Sequence, residues 1–126
     1  MGYRSDVAVV IYPDTGEQNE ARYGALKLLM NTTFRATYDM WSNGGEDFEW
    51  HDNHRVLEFR TDSIKWYDSH PEVAAFHAML DAIGEMEGYN YEFMRIGEDN
   101  DDVEEVQRGD DVQYHLGVKR TIEVNL

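Results

Sequence analysis

Six consecutive apolar residues, Val7-Ala8-Val9-Val10-Ile11-Tyr12, constrain this chain more than any other feature. The run is rich in β-branched side chains and stops at Pro13-Asp14-Thr15-Gly16, a strong turn signal. A strand sends successive side chains to opposite faces of its sheet. A strand that is apolar at every position must therefore be covered on both faces, which makes Val7–Tyr12 a central strand between two layers.

Residues 18–41 read as one long helix. Glu20, Lys27, Asn31, Arg35 and Asp39 form its polar stripe, and Tyr23, Leu26, Leu29, Met30, Phe34, Tyr38 and Trp41 are among the apolar residues that wrap much of the rest. Asn43-Gly44-Gly45 breaks the pattern. Phe48–Trp50 and Val56–Thr61 follow as strands joined through His51-Asp52-Asn53-His54. Ser69-His70-Pro71-Glu72 predicts a helix start, with Ser69 as the cap and Pro71 in the first turn. Val73, Phe76, Leu80 and Ile83 then lie on one helix face. Tyr89–Ile96 reads as a strand, residues 97–102 as a loop, Val103–Gln107 as a short strand and Arg108-Gly109-Asp110-Asp111 as a turn. In the last stretch Val112, Tyr114, Leu116, Val118, Ile122, Val124 and Leu126 share one face, interrupted by Arg120.

The expected fold is a single α+β domain over 1–126. It is a ferredoxin-like βαββαβ core with a C-terminal β-hairpin, an antiparallel sheet carrying two helices on one face. The second sheet face is left for the chain's own end or a second copy to cover, so a homodimer through that face or the first helix is one expected arrangement. Apolar residues make up 41% of the 126, enough for a core.

The chain carries 26 acidic and 11 basic residues, a formal net charge of -15, and no cysteine. Disulfides, thiolate catalysis and Cys-ligated zinc are excluded. Direct binding of nucleic acid or of an anionic membrane is disfavoured, because both need Lys/Arg patches and the nearest to one is Lys119-Arg120. Such a surface suits a protein partner with a basic face. Met1–Asp6 shows no apolar stretch of the signal-peptide kind, and a cytoplasmic location is expected.

Eight of the fourteen residues from Glu98 to Asp111 are acidic: Glu98, Asp99, Asp101, Asp102, Glu104, Glu105, Asp110 and Asp111. A calcium loop begun at Asp99 fails, since Val103 and Glu104 stand where an oxygen ligand and a glycine are required. A nucleic-acid decoy is a second reading. Spread over roughly 7,000 Å² of surface, the net charge of -15 is several-fold sparser than a phosphate backbone, so mimicry needs clustering. Residues 64–126 do hold 15 acids against 5 bases. The eight acids are accordingly the expected partner-binding face, with Trp66 and Tyr67 as candidate aromatic anchors.

No serine sits in a nucleophile-elbow context and no glycine-rich loop reads as a phosphate cradle. The expectation is a non-enzymatic protein without a cofactor. Two alternatives stand beside it. One is a metal-dependent hydrolase or nuclease built on His51, Asp52 and His54. The other is a structural protein of a phage particle.

Three stretches, Met1–Val7, Lys65-Trp66-Tyr67 and Tyr91–Asp99, resemble small acidic proteins of unassigned function from tailed phages and prophages. The group has no assigned activity, so the resemblance carries over no site residue. It implies the inhibition or modulation of a host protein, including a nucleic-acid-handling or defence factor in an anti-CRISPR-like role.

Overall fold

The computed structural model describes residues 2–42, 47–99, 101–119 and 121–126. The expected break at Asn43-Gly44-Gly45 and the interruption at Arg120 lie outside them. Strand β1, Ser5–Pro13, occupies the middle of a five-stranded antiparallel sheet, and Val7–Tyr12 are each at most 3% exposed. Its partners are β3, Val56–Ile64, and β4, Tyr89–Ile96, with Val9 opposite both Phe59 and Phe93. Strand β2, Phe48–His51, lies outside β3, and β5, Val103–Arg108, outside β4. The full order is β2-β3-β1-β4-β5.

Three helices, α1 (Asn19–Asn31), α2 (Arg35–Ser42) and α3 (Pro71–Gly84), cover one sheet face. Val7, Val9 and Ile11 meet Leu26 and Met30 of α1, Trp41 of α2 and Val73, Phe76, Leu80 and Ile83 of α3 in the main core. The single helix expected over 18–41 is therefore two. At the break, Thr32 Oγ1 donates to the Leu28 carbonyl at 2.7 Å and Asn31 Nδ2 to the Lys27 carbonyl at 3.1 Å. Side chains that bond the backbone in this way compete with the helical ladder. The α3 prediction holds from Pro71 onward, but the residue before the helix is His70 and no side chain caps it, so Ser69 does not act as expected.

The other sheet face is covered by the chain's own end. Strands β6, Leu116–Lys119, and β7, Thr121–Val124, form a separate two-stranded hairpin. Ile122 packs on Ala8 and Met94, while Leu116, Val124 and Leu126 pack on Val10, Tyr12 and Val56. Of the two covers expected for this face, the chain's own end is the one present. After β5 the chain crosses to this layer through Gly109, whose φ of +126° only glycine adopts readily. Any Cβ there would also collide with the Asn90 side chain.

The crossing segment is pinned by polar groups beneath it. The Asp111 amide donates to Asn90 Oδ1 at 2.9 Å, the Gln113 amide to Tyr12 Oη at 2.7 Å and the Leu116 amide to Glu92 Oε1 at 3.1 Å. Among the described residues, no helix is long and apolar enough to cross a membrane.

Candidate functional site

The eight acids of 98–111 do not form one patch. Glu98, Asp99, Asp101 and Asp102 lie at the start of β5, and Asp110 and Asp111 beyond its end. Six strand residues separate the groups, about 20 Å at the usual rise. Between them, Glu104 points to the helix side with Arg95, while Glu105 points to the hairpin side with Met94.

Several of these acids are engaged within the fold. Asp102 accepts two bonds from the Arg95 guanidinium, at 2.7 and 3.1 Å, and one from Tyr3 Oη at 2.6 Å. Arg95 first, then Tyr3, holds the Asp102 carboxyl down at about 2. Tyr3 is raised in turn, chiefly by that same bond. Arg95 also reaches Glu104 at 3.2 Å, and the Arg4 amide donates to Glu98 at 2.9 Å. Asp111 accepts from the Thr15 amide and hydroxyl, both at 2.8 Å, and these bonds lower its pKa. Asp102 and Asp111 thus act as internal fasteners, one at each end of β5.

On the helix side, a cleft of about 400 Å³ runs between α3 and β5. Ala74 and Ala78 leave it open by being small, and Asp68, Asp81 and Glu104 set carboxylates around it. A contiguous recess of about 160 Å³ adds a floor of Leu80, Tyr91, Phe93 and Val106, with Arg108 at its far end. Burial, and then the nearby Asp81 charge, push the Tyr91 phenol up. Strand β5 is the sheet edge here, and its charged side chains are what keeps such an edge from pairing indiscriminately. Asp68 and Asp81 were absent from the expected face because their approach to β5 depends on how α3 docks. Another cavity, of about 600 Å³, lies elsewhere, at Gly2, Tyr3, Arg4, Lys65 and Glu98, and mixes both signs of charge.

The aromatic candidates part company. Trp66 is 5% exposed, its ring centroid 5.1 Å from Trp41 and 5.5 Å from Phe76, so it belongs to the core and cannot anchor a partner as expected. Its indole N–H donates to His77 Nε2 at 3.3 Å. Tyr67 is half-buried, edge-on to His70 at 5.1 Å.

The turn residues His51, Asp52 and His54 are not brought together as a metal set. Asp52 accepts from Lys27 and Tyr23, both at 2.8 Å, which lowers its pKa, Lys27 contributing most. His54 is exposed. His51 instead meets two carboxylates on the sheet, Glu58 at 2.8 Å and Glu49 at 3.1 Å from Nε2. One ligand atom from each of the three lies within 4.8 Å of the others. The hairpin register carries this arrangement: Glu49 faces Glu58 across β2 and β3, and alternation returns His51 to the side of Glu49. Pairing the two expected strands about their turn would have found it.

No protein-family model, curated protein or solved structure matches this chain.

Proposed function

We propose that this is a non-enzymatic, phage-type binding domain that holds a basic segment of a host protein in the α3–β5 cleft and so modulates or inhibits it. The observation that carries the reading is the cleft itself: Asp68, Asp81 and Glu104 around its wider part, and an apolar floor beside Asp81 and Glu104 in its recess, next to an edge strand. A lysine or arginine side chain has the same two parts, an aliphatic stem and a cationic head. An extended basic segment could also add its backbone to the outer edge of β5. The net charge of -15 supplies long-range attraction to the same class of partner. A nucleic-acid-handling or defence factor fits that description, because its own working surface is basic.

The same reading takes β1 to β4 as a ferredoxin-like unit. The antiparallel order β4-β1-β3-β2 supports it, with β5 and the β6–β7 hairpin as additions.

The test is an NMR titration with a short peptide alternating lysine and valine. Shifts concentrated on Val103–Arg108 and on the His77–Asp81 face of α3, and suppressed by salt, are expected. Shifts scattered over the acidic surface, or none, would count against the cleft.

A further inference from the structure

We propose that Glu49, His51 and Glu58 form a binding site for a divalent transition-metal cation, zinc foremost. Three observations converge on it. The first is donor chemistry. One imidazole nitrogen and two carboxylate oxygens suit a first-row transition ion, whereas calcium takes six to eight oxygens. Three protein ligands also leave a coordination position for water.

The second is geometry. Zinc bonds of about 2.0 Å in a tetrahedral shell place neighbouring ligand atoms about 3.3 Å apart. His51 Nε2 already stands 2.8 Å from Glu58 and 3.1 Å from Glu49, so the two His–Glu pairs reach that spacing with shifts of a few tenths of an ångström, and all three ligand atoms lie within 4.8 Å of one another. Glu58 sits on β3, one strand from the sheet centre, with a side chain 17% exposed. It is a pre-positioned ligand, and Glu49 is the exposed one that can swing.

The third is charge. Glu49 and Glu58 stand directly opposite one another, an arrangement that destabilises a strand pair unless something positive lies between them. Among the described residues, His51 is the only ion-pair partner of either. A proton on His51 offsets one of the two formal negative charges. A dication bound to neutral imidazole offsets both.

The experiment is calorimetric titration of the chelator-treated full chain with Zn²⁺ and, separately, Ca²⁺, with Co²⁺ absorbance as a report of coordination. One Zn²⁺ per chain and no response to Ca²⁺ are expected. H51A and E58Q should each weaken zinc by about tenfold or more, with loss of the Co²⁺ bands, and H54A should leave both unchanged. E49Q changes an exposed side chain and should lower zinc affinity without lowering the metal-free melting point, which separates a lost ligand from a lost fold. Absence of Zn²⁺ binding by the folded parent, or binding that survives H51A and E49Q together, would overturn the site. So would a loss in H54A equal to that in H51A.

Discussion

Tyr12 Oη donates to Glu92 Oε2 at 2.6 Å in the middle of the sheet face that the C-terminal hairpin covers. Both residues are nearly inaccessible, at 3% and 1% exposure. The phenol oxygen in turn accepts from the Gln113 amide, and the other carboxylate oxygen accepts from the Leu116 amide. The layer that closes the fold is thus held by a polar pair as well as by Ile122 and its apolar neighbours. Burial foremost, and then the Glu92 contact, drives the Tyr12 phenol well above its ordinary value, so it stays a donor throughout the physiological range.

The Y12F variant should therefore cost roughly 1–3 kcal/mol, because a buried carboxylate oxygen and the Gln113 amide each lose a partner. Urea unfolding measures the loss. Amide exchange should accelerate at Gln113 and Leu116 before it does in β1. A neutral effect would mean that apolar contacts alone hold the hairpin.

Acid should loosen the other end of β5. The Asp102 carboxyl is held at about 2 in the folded chain, against an ordinary 3.8. In that interval the unfolded chain binds more protons at this group, so the Asp102 contribution to stability rises with pH from about 2 to about 4 and is flat above. D102N should be less stable than the parent at pH 7. The gap should shrink as pH falls below about 4 and close near 2. Melting curves of both proteins across that range decide it, and a gap independent of pH would mean that Asp102 acts through packing.

Trp66 serves as a core residue. W66A should cost about 3–5 kcal/mol, the usual range for a large buried aromatic, with fluorescence of Trp41 altered because the two rings touch. A cost under about 1 kcal/mol would return the ring to the surface.

Much of this architecture was legible in the sequence because it rests on local pattern. The uninterrupted Val7–Tyr12 run implied a strand covered on both faces, and Leu116, Ile122, Val124 and Leu126 of the expected C-terminal alternation cover one of them, whereas Tyr114, expected on the same face, is exposed. The spacing of Val73, Phe76, Leu80 and Ile83 implied the buried face of α3. What escaped depends on tertiary detail. The split between α1 and α2 turns on Asn31 and Thr32 bonding backward to carbonyls, in a stretch whose apolar pattern continues unbroken. The acids of 98–111 looked like one face because they are close in sequence, yet β5 pulls them apart. Asp68 and Asp81 reach the cleft only through the docking of α3. Glu49 and Glu58 join His51 only through strand register.

The central claim is that position, and not net charge alone, makes the α3–β5 cleft a site for a basic segment. It is tested most directly by the dissociation constant of the lysine–valine peptide for two variants of equal charge. One, D68N/D81N/E104Q, neutralises the cleft; the other, E17Q/E20Q/E87Q, neutralises exposed acids elsewhere. The cleft variant should lose about tenfold or more at low salt and show a flatter salt dependence, while the control stays within about threefold of the parent. Equal losses in the two variants would mean that the peptide responds only to overall charge, and would contradict the cleft as the binding site.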